Sequence, residues 1–323
     1  MRRREFLLSG LAATSVAAEA QERGRLYRLI VISSGPAPAN MRQIFARTLQ
    51  AAGFSEGYNL RIEPLFFTSA GRLAEVVAEA VRSSPDVIFA NAWPAVRALQ
   101  ATGTSIPTVA FTADPIGLGL TERLSRPSGN VTGVAADAGG ELWGKRLAFL
   151  KEISPGLRTV FHIGPAFNWE GVVGAAIRTG AQHLHINIIG PAIQSPFDEQ
   201  AFESAFKTAV DAGAEAAIVD NSGENVAGAQ QIVTLSQKHR IPTVYPFRLY
   251  AERGGLIAYD PDLAQLAAHA ASQIATILRG TPPDQIPFYQ PTRFRLALNR
   301  KTAEAIGLVF PPILLALADE VIE

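Results

Sequence analysis

The stretch Ile106–Val134, IPTVAFTADPIGLGLTERLSRPSGNVTGV, decides how the rest of the chain is read. Ile106–Phe111 is a short apolar run of β-formers closed by Thr112-Ala113-Asp114-Pro115, as expected of a buried parallel strand that gives way to a loop. Pro115 biases Asp114 toward extended geometry, which leaves its carboxylate at the point where the strand ends. Arg126-Pro127-Ser128-Gly129-Asn130 is a turn cluster, and Val131–Val134 is a second short strand. Alternating strand and helix patterns run up to this stretch and begin again after it. It therefore reads as a passage between two similar lobes, with a binding cleft expected beside Asp114.

Before the passage, strands are expected at Tyr27–Ser33, Leu60–Phe67 and Val87–Ala90, and helices over Pro38–Ala52, from an N-cap at Ser69 to Ser83, and after Pro94. After it come helix Gly140–Ile153, strand Thr159–Ile163, helix Asn168–Leu184 and strand His185–Ile189. Helix Phe197–Ala212, strand Ala216–Val219, helix Glu224–His239 and strand Thr243–Tyr245 continue the alternation. Leu256–Tyr259, between Gly254-Gly255 and Asp260-Pro261, reads as a second passage. Helix Leu263–Arg279, strand Phe294–Leu298, helix Arg300–Gly307 and a last helix over Pro311–Ile322 complete the chain. Repeated β-α units predict an α/β protein of two doubly wound parallel-sheet lobes joined by a hinge. The expected boundaries are residues 21–133 plus about 260–290 for lobe I, and 134–259 plus about 291–323 for lobe II.

A chain of 323 residues is long for one core, which agrees with two lobes. Its 29 basic and 29 acidic residues cancel, and no basic stripe interleaved with aromatics points to nucleic acid. There is no cysteine, which excludes disulfides, thiolate nucleophiles and cysteine-ligated metals. Residues 1–20 combine Arg2-Arg3-Arg4, an apolar or small-residue run from Phe6 to Ala18 and an Ala18-Glu19-Ala20 cleavage pattern, so they read as an export signal. Arg3-Arg4-Glu5-Phe6-Leu7 also resembles the twin-arginine motif. The expected mature protein is soluble and exported.

Catalytic patterns fail on context. Gly53-Phe54-Ser55-Glu56-Gly57 matches the nucleophile-elbow spacing, but a helix precedes it and a strand follows, the reverse of what that motif needs. Gly117-Leu118-Gly119 lacks a third glycine because Glu122 takes its place. His183 and His185 have no metal-ligand company and read as one partly exposed and one packed histidine. Asn130-Val131-Thr132 is a formal glycosylation sequon that fits turn chemistry as well. What remains is a ring of polar and aromatic residues at strand ends: Ser33, Ser34, Asn91, Trp93, Thr112, Asp114, Asn168, Trp169, Asp220, Asn221, Tyr245 and Tyr259. Hydroxyls and free N–H groups there suit a ligand carboxylate, Asp114 or Asp220 an ammonium, and the aromatic rings an apolar side group. Both aspartates are expected on cleft surfaces, where replacement abolishes binding without cost to the fold. No catalytic residue, metal or cofactor is expected.

The order of several motifs resembles the ABC-transporter substrate-binding proteins of the tryptophan/tyrosine-binding type. They are the leader, Gly53–Asn59, Asp86-Val87-Ile88, Asp114-Pro115-Ile116, Arg126–Val134, Lys145-Arg146-Leu147, Tyr245-Pro246, Gly254–Tyr259 and the tail from Pro291. The resemblance spans essentially the whole chain. It implies a type I periplasmic-binding-protein fold that closes on an amino acid or related small carboxylate, and delivery by a monomer to an ABC permease of the inner membrane. It implies no catalysis, and it puts Asp114, Asp220, Tyr245 and Tyr259 in or near the cleft. The sequence departs from the family at Asn91-Ala92-Trp93, where small residues are usual, and at Asp260, where glycine is common. An exported α/β enzyme acting on a small metabolite and a ligand-binding sensor without transport are the alternatives from other classes.

Overall fold

The structure is a computed structural model that describes residues 24–67, 70–137, 140–190, 193–194 and 196–323. The expected export signal and the Ser69 cap lie outside the described residues. By contacts the chain divides into two compact units. The first runs through Phe111 and adds Gly129–Gly133 and Ala267–Pro287; the second is built from Thr112–Ser128, Val134–Leu266 and Phe288–Glu323.

The first unit holds strands β1 (Tyr27–Ser33), β2 (Leu60–Phe66), β3 (Val87–Asn91) and β4 (Thr108–Thr112), with helices α1 (Ala39–Ala51), α2 (Ala70–Arg82) and α3 (Trp93–Ala101) between them. With β5 (Val131–Ala135) the sheet order is β2-β1-β3-β4-β5. β1 pairs in parallel with β2 and β3, and β3 with β4. The near-continuous apolar runs follow from burial on both faces: Val87, Ile88 and Ala90 have no exposed surface. Phe45 of α1 stacks on Phe89 at 5.3 Å, which seats the helix on the sheet.

The second unit contains α4 (Glu141–Ile153), β6 (Thr159–Ile163), α5 (Ala166–Glu170), α6 (Val172–His183), β7 (Asn187–Ile189), α7 (Glu199–Asp211) and β8 (Ala216–Val219). It continues with α8 (Gly223–Ala227), α9 (Ala229–Lys238), β9 (Thr243–Tyr245), α10 (Arg248–Glu252) and β10 (Ile257–Pro261). α11 (Leu263–Leu278) belongs mostly to the first unit, and the second ends in β11 (Phe294–Asn299), α12 (Arg300–Ala305), α13 (Pro312–Leu317) and β12 (Glu320–Ile322). The sheet order is β12-β11-β10-β9-β8-β6-β7. Alternation along its strands separates two cores. Val160, Ile218, Val244 and Ile257 face Trp143, Leu147 and Ile177, whereas Phe161, Ala217, Tyr245 and Ala258 face Phe202, Phe206 and Tyr250. Helices therefore cover both faces of this sheet, as in a doubly wound fold. α4 and α6 approach closely because Gly144 and Gly180 face each other; a Cβ on Gly180 would lie 2.7 Å from the Gly144 Cα.

Five elements differ from the sequence reading. The helix expected over Asn168–Leu184 is two helices, parted where Gly171 takes an extended conformation. The one expected over Glu224–His239 is likewise parted at Gly228. α10 follows Pro246 where no helix was expected. Pro311–Ile322 does not stay helical: α13 ends at Leu317, and Glu320–Ile322 forms β12 instead, parallel to β11. The Asp319 N–H donates to Leu296 O while its carboxylate accepts from Leu296 N, an exchange that favours extension over another helical turn. Finally, β11 runs antiparallel to β10, so the sheet is mixed: parallel from β7 to β10, with the parallel pair β11–β12 running the opposite way.

Candidate functional site

In parallel sheets the carboxyl ends of neighbouring strands form one polar rim. In the first unit, Ser33 and Asn91 are register partners at the ends of β1 and β3. Ser33 is buried and its hydroxyl donates to Gly35 O at 2.7 Å, whereas Ser34 is exposed. Trp93, partly buried, opens α3, with Pro94 in the first turn.

The second unit's rim carries more charge. Asp114 is partly buried, and its Oδ1 accepts from Ile116 N at 3.0 Å, closing the turn that Pro115 begins. Thr112 is buried and its Oγ1 has no hydrogen-bond partner. The segment after β5 runs beside this loop: Ala136 N donates to Thr112 O and Asp137 N to Ala113 O. Asp137 is 4% exposed. The Leu142 N–H and the Trp143 indole, both in the first turn of α4, favour its charged form, yet its Oδ1 has no partner among the described residues. Burial pushes the Asp137 carboxyl up to about 6, against the opposing pull of Arg146, and Asp114 adds to the rise.

One turn further along α4, Arg146 is buried. Its Nε donates to Tyr259 O at 3.0 Å and its Nη2 to Pro246 O at 3.2 Å, so the guanidinium ties the ends of β9 and β10 together. It lies 4.4 Å from the Trp143 ring centroid. Burial lowers its pKa to about 10, with Asp137 and Asp260 opposing the shift. Asp260 is also buried, its Oδ2 accepting from Arg248 N at 3.3 Å while Oδ1 is unpartnered. Burial raises its carboxyl to about 6. Two buried carboxylates with idle oxygens thus flank one buried guanidinium.

Asp220 is different. It has no exposed surface, and both of its oxygens are taken. Oδ1 accepts from Ser222 N at 2.9 Å and Asn225 Nδ2 at 2.8 Å, and Oδ2 from Asn168 Nδ2 at 3.0 Å. His162 Nε2 is 3.3 Å from Oδ2 without hydrogen-bond alignment, and its ring stacks on Trp169 at 5.3 Å. Gly164 passes so close that a Cβ there would sit 2.0 Å from Oδ2. The expectation of a cleft carboxylate removable without cost to the fold is therefore corrected: Asp220 and Asn168 form a closed hub inside the second unit. Asn221 beside them is only partly buried.

Tyr245 is a core residue, 1% exposed and stacked on Tyr250 at 4.9 Å. Alternation along β9 turns its ring inward. Tyr259 is partly buried between Phe149 and Phe294, at 5.1 and 5.6 Å. His183 and His185 are both exposed, at the end of α6 and in the turn after it, so neither is the packed one. Asn130 donates from Nδ2 to Thr104 O and Ile106 O, as turn chemistry requires. Sequence reasoning missed Asp137 and Arg146 as site residues. The available signal was a charged residue on the apolar face of α4, between Leu142, Leu147 and Leu150.

Residues 28–322 match the family model described as ABC transporter substrate binding protein. A curated relative, the tyrosine-binding protein of Clostridioides difficile (strain R20291), is 20% identical over 274 residues, covering 82% of this chain and 75% of the relative. A conserved domain protein of Vibrio cholerae superposes with a TM-score of 0.82 at 21% identity, covering 92% of this chain and 100% of the other. An ABC domain from Streptococcus pneumonia, solved in complex with L-Trp, superposes with a TM-score of 0.78 at 20% identity, with the same coverage. No described helix is long and apolar enough to cross a membrane.

Proposed function

Because the chain belongs to the ABC transporter substrate binding protein family, we propose that it is the exported solute-binding component of an ABC importer and captures an α-amino acid or related small carboxylate. The observation that carries this is the family match over nearly the whole chain. A relative named for tyrosine binding and a fold shared with an L-Trp complex support the amino-acid class. The arginine cluster, apolar run and Ala18-Glu19-Ala20 support removal of residues 1–20 on export to the periplasm. Ser33, Asn91, Thr112, Asp114 and Tyr259 supply polar and aromatic groups for such a ligand. The protein acts as a monomer, closes on its ligand by hinge bending and delivers it to a membrane permease, without catalysis.

Small molecules released by denaturing purified protein, identified by mass spectrometry and returned in calorimetric titrations, test the ligand class. Release and rebinding of an amino acid is the expected result; protein that binds no amino acid overturns the proposal. Intact mass of exported protein checks the leader, and scattering with and without saturating ligand checks closure.

A further inference from the structure

We infer that Asp137, backed by Arg146, is the specificity-determining carboxylate that receives the ammonium group of the ligand. This rests on the amino-acid reading above and names the residue that enforces it. A buried carboxylate ordinarily has its lone pairs filled by donors or a cation, because the desolvated charge is otherwise costly. Asp220, in the same unit, shows the filled state, with three N–H donors on two oxygens. Asp137 is as deeply placed, yet one oxygen meets no donor among the described residues. Unpartnered Thr112 Oγ1 belongs to the strand end with which the Asp137 segment pairs. An ammonium carries three donors and no acceptor, which is the complement of such a rim.

Arg146 does not fill this gap. Its Nε and Nη2 are directed to the carbonyls of Tyr259 and Pro246, which fixes its charge where Asp137 feels it. There it eases ionisation of Asp137, while the buried Oδ1 keeps no hydrogen-bond partner among the described residues. The charged and hydrogen-bonding groups that face Asp137 are Arg146 and the Trp143 indole on α4 and Asp114 in the loop after β4, with Asp260 on β10 acting on Arg146 from its other side. An ammonium at Oδ1 stabilises the ionised form. Binding near pH 6 then expels a fraction of a proton, and affinity rises with pH through that range.

The test uses the full mature chain and the twenty standard L-amino acids, followed by the des-amino analogue of whichever binds most tightly. Wild type should prefer the amino acid, and Asp137→Asn should lose at least about 30-fold in affinity for it, as when one partner of a buried charge pair is removed. Binding of the des-amino analogue should change little. Calorimetry at pH 6 in buffers of different ionisation enthalpy should show proton release for wild type with the amino acid only. That measurement stands even if the variant folds poorly. Retained preference in Asp137→Asn, or no proton release in wild type, overturns the inference and leaves the amino-acid reading intact. Wild type that binds no amino acid overturns both.

Discussion

Asp137 and Asp220 are the same residue type, in the same unit, each just beyond a short buried strand, and each almost without exposed surface. They differ in what surrounds them. Asp220 holds three N–H donors that join β8 to α5 and α8, whereas Asp137 anchors the start of α4 and leaves an oxygen idle. Position at a strand end therefore does not separate a ligand carboxylate from a structural one. The hydrogen-bond inventory does: a carboxylate filled by its own chain serves the fold, and one left short is available to something outside it.

The comparison is broken most directly by replacing each carboxylate and melting the ligand-free protein. Asp220→Ala strands the amides of Asn168 and Asn225 and the Ser222 N–H, so a loss of about 3–5 kcal/mol is expected by analogy with other broken buried polar pairs. An unchanged melting temperature would remove the distinction. Gly164→Ala should act in the same direction, because its methyl would collide with Asp220 Oδ2. A loss of about 2–3 kcal/mol is expected there, as for overpacking a core.

The pH dependence of stability sharpens the contrast. Asp137 and Asp260 both titrate near 6 when folded, against 3.8 in the reference state. The folded chain thus holds more protons than the unfolded chain between these values. The stability these groups contribute is full below about pH 4 and lost as pH rises through 6, by up to about 3 kcal/mol for each. Denaturant titrations at pH 5 and pH 7 on wild type and on the double variant Asp137→Asn/Asp260→Asn should show the variant losing less between the two values. At pH 7, Asp137→Asn alone should raise the unfolding free energy by about 1–2 kcal/mol, opposite in sign to Asp220→Ala, because the amide avoids the cost of ionising a buried carboxyl. Smallest of all is Asp114→Asn, which keeps an acceptor for Ile116 N and should alter stability by no more than about 0.5 kcal/mol.

Much of the architecture was legible in the sequence because burial on both faces writes strands as uniform apolar runs: Thr159–Ile163, Ala216–Val219 and Thr243–Tyr245 stand at the expected bounds. The C-terminal end was not. PILLAL and EVI are both mostly apolar, and the hydrogen bonds that Asp319 exchanges with Leu296, a partner 23 residues away, together with the pairing of β12 on β11, make the second extended. The site was legible as a rim but not in its members. Tyr245 carries a polar tip like Tyr259, yet one-residue alternation sends it into the core. Asp137 sits in a small-residue stretch, VAADAGG, whose sequence carries no sign of the guanidinium that α4 brings to it.

Neither unit is made from one continuous piece of chain: the first needs Ala267–Pro287, and the second ends with Phe288–Glu323. A polypeptide emerging from the ribosome N-terminus first cannot finish the first unit before residue 287 or the second before its last strand. β12 pairs with β11 through Glu320–Ile322, and Glu320 holds Arg248 at 2.6 and 2.9 Å. A chain lacking Glu320–Ile322 has a β11 with an open edge, the kind of surface that attracts other strands and proteases. β12 thereby covers the edge of β11, and the second sheet is latched only once Glu320–Ile322 has joined it.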